Sequence, residues 1–316
     1  MNNKHNSPYL YLRRKRNDVG GSFYQERPSL FRYLQYAGHD AVCGKGVMMK
    51  KVTFLISILL AASTTNAFAT GESIGSLSHI HSVRAVGNQI ILGTHEGLYQ
   101  YVDEKTVKRM GPERFDVMGL AVSTKGFYAS GHPGPGSKLP EPVGLLLTTD
   151  RGATWKKVSL TGQVDFHTLE TAGEDIYGAD SGSGQLMYSG NGGKSWVKRG
   201  PNTFMDIAPD PIVKARVLGV KEGMLFRSTD AFKSTKLIKT PFVVDSIDWI
   251  KGSLIVSSGK VLYRSTDSGS SWKKLTTLQS QIGTITQSSQ LIAVVMGSAI
   301  YSSNNGGKSF KKHQSK

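Results

Sequence analysis

The chain has 316 residues, with 39 Lys and Arg against 23 Asp and Glu, a formal net charge of +16 and a single cysteine, Cys43. One cysteine excludes an internal disulfide, and the lack of a basic motif interleaved with aromatic residues argues against a nucleic-acid partner. The basic excess either favours polyanionic partners such as lipopolysaccharide, teichoic acid or acidic glycans, or is dispersed over a solvated surface.

The first recognisable element is a secretory signal peptide over residues 48–69. Met48-Met-Lys-Lys51 supplies a charged start, and the apolar run that follows, residues 52–62, is too short to span a bilayer comfortably. Ala67-Phe-Ala69 matches an A-x-A cleavage site. We therefore expect a secreted or periplasmic protein, cleaved after Ala69 and without a stable membrane anchor.

Residues 1–47 precede this signal and fit no fold. We interpret them as a disordered upstream extension that results from a wrongly assigned start. The alternative is a real cytosolic tail, with residues 52–69 as an anchor. Under the first interpretation, residues 70–316 form a single domain that is long enough to bury a core without disulfides, and we expect it to be a monomer.

A short phrase then recurs about every forty residues, which is typical of a repeat architecture. Its pattern is S-x-[DN]-x-G-x-[ST]-[WF], with the fourth strand of a unit starting at its final aromatic residue. The five copies, of which the third is degenerate, span residues 148–155, 189–196, 228–235, 265–272 and 303–310. Asp or Asn at position three can accept hydrogen bonds from nearby backbone amides, and Gly at position five allows a positive φ at a hairpin tip.

Each copy follows two short strands and an earlier apolar run, so a unit contains four strands and no helical periodicity. A sixth unit without the phrase begins near residue 77, around Gly93-Thr-His-Glu-Gly-Leu98. The longer spacing to the next unit is explained by a Pro- and Gly-rich insertion at residues 132–142, which we expect to be a loop. The sequence therefore predicts an all-β, six-bladed β-propeller of four-stranded blades.

Five of the six histidines after residue 69 map to one face of this propeller, where inner strands begin and where strands two and three are joined. These residues are His79, His81, His95, His132 and His167. The sixth, His313, maps elsewhere. Asp165 and Asp180 map beside the group. We therefore predict a ligand-binding pocket at the top of blades one to three, formed by the five histidines and Asp180.

Aligned inner strands carry His81, Met118, His167 and Met205 at one structural position. Imidazole and thioether together form a soft ligand set that suits copper. Imidazoles with Asp165 or Asp180 would instead suit zinc, or an acid–base pair. Copper and zinc both stay open, as do a small anionic ligand and a glycan. The packing of methionine side chains in a core would account for the same pattern.

The motif string also resembles an uncharacterised bacterial family of exported Asp-box (BNR-repeat) propellers, whose members carry glycosyl hydrolase or exo-sialidase-like labels. The resemblance covers residues 78–312 and is carried by the following motifs: His79-x-His81, Thr94-His-x-Gly-Leu98, Met118-Gly119, Ser130-Gly-His-Pro133, Val143-Gly-Leu145, Asp165-Phe-His167 and Tyr177-Gly-x-Asp180. It implies a sialidase-like propeller fold, export and glycosidase activity as expectations. Fold analogy alone does not establish the activity.

True sialidase chemistry is not expected, because no arginine triad and no Tyr/Glu pair can be identified. Ordinary glycosidases need two carboxylates. The acids that map to the top face are Asp116, Asp165, Asp180, Asp206 and Asp245. An enzyme would use Asp165 or Asp180 as acid or nucleophile, with His167 and the other histidines positioning a glycan. A third alternative is a scaffold that binds a protein partner through the insertion.

Overall fold

The computed structural model of the protein describes residues 71–103 and 105–313. The predicted extension at 1–47 and the signal peptide at 48–69 lie outside these residues and stay predictions. The described chain consists of strands and one short 3-10 turn, Ile74–Ser76. Within it, no helix is both long enough and apolar enough to cross a bilayer.

The strands form six antiparallel sheets, each built from consecutive segments of the chain, so the six-bladed propeller is confirmed. The first sheet contains β1 (Glu72–Ser73), β2 (Ile80–Val86), β3 (Gln89–Thr94), β4 (Gly97–Tyr101) and β5 (Thr106–Arg109). The second contains β6 (Phe115–Ser123), β7 (Gly126–Pro133), β8 (Leu145–Thr148) and β9 (Lys156–Ser159). The third contains β10 (Phe166–Ala172), β11 (Asp175–Asp180), β12 (Gln185–Ser189) and β13 (Val197–Pro201).

The remaining three blades repeat this plan. The fourth contains β14 (Asp206–Pro209), β15 (Val217–Lys221), β16 (Met224–Ser228) and β17 (Lys236–Ile238). The fifth contains β18 (Ser246–Ile250), β19 (Ser253–Ser258), β20 (Val261–Ser265) and β21 (Lys273–Thr277). The sixth contains β22 (Thr284–Gln287), β23 (Ile292–Met296), β24 (Ala299–Ser303) and β25 (Lys311–Lys312).

The first full strand of each blade lines the propeller axis. These inner strands contact one another around the whole ring, and β22 of the last blade contacts β2 of the first. The short strand β1 pairs with β5, the outer strand of its own blade, and not with the sixth blade. Packing therefore closes the ring: Leu291, Ala293 and Ile300 of blade six share a buried cluster with residues of blade one. The amide of Ala85 also donates to Oγ1 of Thr286 across this seam, at 3.0 Å.

The recurring phrases form the hairpins between the third and fourth strands, as predicted. In the fifth blade, Oδ1 of Asp267 accepts from the Ser265 hydroxyl at 2.7 Å and from the Ser271 amide at 2.8 Å. The amide of Gly269 donates back to Oγ of Ser265 at 2.8 Å. Because the carboxylate and the hydroxyl satisfy amides inside the turn, the phrase fixes the hairpin without help from other blades.

The degenerate third copy keeps the same backbone although Phe232 stands in place of the glycine. Ala231 and Phe232 have φ values of 56° and 63°, the left-handed conformation that the other copies also adopt at these two positions. The Phe232 ring is buried and stacks on Phe204, with the ring centroids 4.4 Å apart. It thus supplies an aromatic core contact in a copy whose final position is Thr235.

Candidate metal centre

Three inner strands are distorted at the position that aligned in the sequence. The ladder between β2 and β3 skips His81, the ladder between β6 and β7 skips Met118, and the ladder between β10 and β11 skips His167. An unpaired residue of this kind is a β-bulge, which bends the strand and redirects a side chain. The pairing of β14 with β15 has no such shift, and Met205 lies just before it. The first three blades therefore share a local feature that blade four lacks.

The first cluster joins blades one and two and contains His81, His95 and Asp116, which we call the first triad. Nδ1 of His95 lies 2.7 Å from Oδ2 of Asp116, and Nε2 of His81 lies 3.2 Å from its Oδ1. His81 comes from the bulge of β2, His95 from the turn after β3, and Asp116 from the next inner strand. The carboxylate of one blade thus faces two imidazoles of its neighbour.

The second cluster joins blades two and three and contains His132, Asp165 and His167, which we call the second triad. Oδ2 of Asp165 lies 2.7 Å from Nε2 of His167 and 3.2 Å from Nε2 of His132. Only about 8% of the Asp165 side chain is exposed, whereas the two imidazoles keep 39% and 47% of their surface exposed. A buried carboxylate therefore lies beneath two accessible nitrogen donors.

Each triad presents one ligand atom from each of its residues, and within a triad these atoms all lie within 4.8 Å of one another. Two ligands of a tetrahedral zinc ion, at about 2.0–2.1 Å from the metal, lie about 3.3 Å apart. Oδ1 of Asp165 is buried and makes no hydrogen bond, and the buried atoms Nε2 of His81 and Oδ1 of Asp116, which lie 3.2 Å apart, have no hydrogen-bond partner outside the triad. A buried polar atom without a partner costs folding free energy, and a bound cation would remove that cost. These atoms therefore suit the ligand set of a cation site.

Partners outside the triads hold several of these side chains in place. Nε2 of His95 lies 2.9 Å from Nδ1 of His79, and Nδ1 of His132 lies 2.6 Å from Oε1 of Glu141. The Ser181 hydroxyl donates to Oδ2 of Asp165 at 2.6 Å. A partner on the far nitrogen orients an imidazole and fixes its tautomer, as in carboxylate–histidine–metal arrangements.

Two imidazoles have pKa values displaced in opposite directions. Burial lowers the pKa of His81, and the neighbouring His95, His79 and His167 lower it further, against the opposing charge of Asp116. Burial also acts to lower the pKa of His132, but the hydrogen bond to Glu141 and the charges of the surrounding carboxylates outweigh it, so this pKa is raised. His81 is therefore the more readily available as a neutral ligand near neutral pH.

The triads border a cavity of about 670 Å³ on the propeller axis. His79, His81 and His167 line it on the side of the triads, and Met205 and Asp245 line it from blades four and five. A second cavity of about 270 Å³ lies along the same inner strands. Arg84 and Glu170 line both cavities, so this ion pair lies at their junction.

The Arg84–Glu170 pair is surrounded by more carboxylates than one guanidinium can neutralise. The Nε atom of Arg84 donates to the Leu120 carbonyl, and its Nη2 bonds Glu170 at 2.5 Å. Burial raises the pKa of Glu170 to about 8, although Arg84 opposes the shift. Burial likewise raises the pKa of Asp206, and that of Asp248 to about 6. The floor of the axial cavity thus holds carboxyl groups that retain protons at unusually high pH.

The structure places the predicted histidines in two clusters: His79, His81 and His95 contact one another, and His132 and His167 both contact Asp165. Asp180 is buried and contacts the second triad through the backbone of Asp165. Its oxygens accept hydrogen bonds from the Asp165 amide and from Ser183, and these hydrogen bonds lower the pKa of Asp180 against the effect of burial. Met205 is 70% exposed at the cavity wall, whereas Met118 is at the second bulge.

Sequence patterns point only weakly to two residues of the candidate site. Asp116 is one of several acids that map to the top face. Its place between His81 and His95 follows only from the register of two neighbouring blades, which the sequence does not show. No sequence pattern singles out Glu141, because it belongs to the insertion, in which composition predicts only a loop. The one sequence signal for Glu141 is its position nine residues after His132, within the same insertion.

Comparison with known proteins supports the fold alone. No known family model matches the chain, and no curated protein matches its sequence. Among solved structures, the GH74 enzyme of Niastella koreensis aligns with a TM-score of 0.51 and 18% identity over 77% of this chain. A protein described as the extracellular domain of a hybrid two-component system from B. thetaiotaomicron aligns with a TM-score of 0.50 and 12% identity, also over 77% of this chain. The chain covers only 37% and 34% of these two structures.

Proposed function

We propose that this protein is an exported β-propeller that binds a transition-metal ion, of the zinc or copper type, at the two triads. The observation that carries the proposal is the pairing of two imidazoles with one carboxylate in each triad, with buried ligand atoms that make no hydrogen bond outside their triad. Four histidines from three blades pair with Asp116 or Asp165, and a cation bound at each triad would account for this arrangement.

The ligand set favours a borderline metal ion over a hard one. Imidazole nitrogens are typical ligands of zinc and copper, whereas calcium and magnesium prefer sites built from oxygen alone. Three protein ligands also leave a fourth position of a tetrahedral ion open to water or to an anionic ligand. That open position would lie beside the axial cavity, which is large enough for a small molecule.

Export and family membership form part of the same proposal. The signal peptide at 48–69 supports a secreted or periplasmic location, and the hairpin phrases support membership of the Asp-box propellers. The many lysines on outer strands, such as Lys156, Lys273 and Lys311, are far along each blade from the inner strands that carry the triads. Their position is equally compatible with positive charge dispersed over a solvated surface and with a polyanionic partner.

The test is metal analysis of the purified protein, followed by titration of the metal-free protein with Zn²⁺ in a calorimeter. We expect the Zn²⁺ affinity of the mutated triad to fall at least tenfold in His81→Ala and, as a separate variant, in His167→Ala. His313→Ala is the matched control, since His313 contacts Tyr101 and Ser302 away from the triads. Binding that is absent in the wild type, or unchanged in both triad variants, would overturn the proposal.

Glycoside hydrolysis is the second candidate function, and one feature of the axial cavity supports it. Glu170 lines that cavity with a pKa raised to about 8, as a general acid requires, and Asp206 and Asp245 line the same cavity. Asp180 is a weaker candidate acid because its pKa is lowered. This function predicts hydrolysis of an aryl glycoside that Glu170→Gln abolishes. Activity that persists in Glu170→Gln would contradict this assignment.

A further inference from the structure

We infer that the two triads lie side by side and form a paired centre for two copper(I) ions, with the Met118 thioether as the soft ligand between them. This inference rests on the proposed metal binding. It adds the number of ions, their chemical class and a ligand that belongs to neither triad.

Two of the three ligands in each triad repeat with the blade plan. In the first triad, the turn after strand two of blade one supplies His95, and the residue two before the bulge of blade two supplies Asp116. In the second triad, the equivalent positions one blade later supply His132 and Asp165. Each triad thus takes an imidazole from one blade and a carboxylate from the next, at equivalent positions. The third ligands are not equivalent, because His81 belongs to the blade of His95, whereas His167 belongs to the blade of Asp165.

The two triads are immediate neighbours because blade two belongs to both. Asp116 of the first triad and His132 of the second are directly opposite each other in the ladder between β6 and β7. Side chains opposite each other in an antiparallel pair point to the same face, with Cβ atoms about 4.5–5.5 Å apart. One cross-strand pair is therefore all that separates the two triads.

The third ligand of each triad occupies a bulge, and this pattern singles out Met118. His81 is the bulge residue of blade one and His167 is the bulge residue of blade three. The bulge of blade two, which lies between them, holds Met118. Its carbonyl accepts from the Ser82 hydroxyl of blade one at 2.9 Å, which ties the bulge to the neighbouring strand. Met118 is thus at the ligand position of the blade that the triads share.

A thioether at this position changes the metal that the centre prefers. Imidazoles with a carboxylate suit zinc and copper(II), but a methionine sulfur is a soft ligand that selects copper(I). Loss of the Met118 sulfur should therefore weaken copper(I) binding while leaving the hard and borderline ligands of both triads in place.

Competition for copper(I) with bicinchoninate, under anaerobic reducing conditions, tests the inference on the full chain. We expect two copper(I) ions per chain in the wild type. Met118→Leu, which conserves volume, should weaken copper(I) binding at least tenfold and change Zn²⁺ affinity less than threefold. Met224→Leu is the matched control and should bind copper(I) like the wild type, because Met224 is an exposed methionine on β16, the third strand of blade four.

Single-triad variants test the pairing. His95→Ala and His132→Ala should each retain one copper(I) ion, and their melting curves by circular dichroism show whether the fold persists. Unchanged copper(I) affinity in Met118→Leu, or one ion per wild-type chain, would overturn this inference while Zn²⁺ binding upheld the proposed function. Absence of both metals from the wild type would overturn the two together.

Discussion

The Glu141 carboxylate lies 2.6 Å from Nδ1 of His132, on the side of the ring opposite Asp165. The insertion loop thus orients an imidazole that blade two contributes to the second triad. Partners of this kind usually change metal affinity by about 10- to 100-fold when they are removed.

We therefore expect Glu141→Ala to weaken Zn²⁺ binding at the second triad by about 10- to 100-fold, and to leave the first triad unchanged. Calorimetric titration in a His95→Ala background isolates the second triad. Glu174→Gln is a suitable control, because Glu174 is a similarly exposed acid that pairs with Lys125 instead of a histidine. Equal affinities in Glu141→Ala and the control would refute the positioning role.

A second prediction concerns Phe232, which combines a buried ring with a left-handed backbone. Phe232→Ala should cost about 3–5 kcal/mol of unfolding free energy, because it removes a ring that packs on Phe204 and Tyr177. Phe232→Gly removes the same ring but relieves a φ of 63°, which is worth about 1 kcal/mol. Urea unfolding should therefore rank the glycine variant above the alanine variant. The opposite order would show that the backbone is unstrained there.

A third prediction concerns the acidic floor of the axial cavity. Burial raises the pKa of Glu170 from its ordinary value of 4.5 to about 8 in the folded protein. The folded state therefore holds this proton more tightly than the unfolded state. The resulting stabilisation is complete below about pH 4.5 and is lost as the pH rises through 8.

Thermal melting between pH 5 and pH 8.5 should show this loss in the wild type. Glu170→Gln cannot titrate and should lose less stability over the same range, whereas Glu174→Gln should follow the wild type. Parallel curves for Glu170→Gln and the wild type would contradict the raised pKa.

The sequence specified the fold because its key interactions are local. The phrase at residues 265–272 contains both partners of its main hydrogen bonds, Ser265 and Asp267, and the same holds for the other copies. The sequence does not determine how the ring closes, because a strand at residues 71–77 could equally join the last blade. It pairs with β5 instead, and the seam depends on buried contacts between residues about two hundred positions apart, such as Ala85 and Thr286.

The candidate site was predictable in its histidines and less so in its carboxylates. Aligned inner strands placed His81, Met118 and His167 at one position, which the structure shows to be a β-bulge. The pairing of Asp116 with His95 could not be read in this way, because it depends on how two neighbouring blades are rotated and packed. Glu141 depends on the path of an irregular loop, for which no periodicity exists.

The most direct test of the metal proposal is anomalous diffraction at the zinc absorption edge from crystals of the zinc-loaded protein. The account predicts one peak bonded to His81, His95 and Asp116, and a second bonded to His132, Asp165 and His167, each at about 2.0–2.2 Å from its ligand atoms. Clear density for these side chains without an anomalous peak at either triad would contradict it.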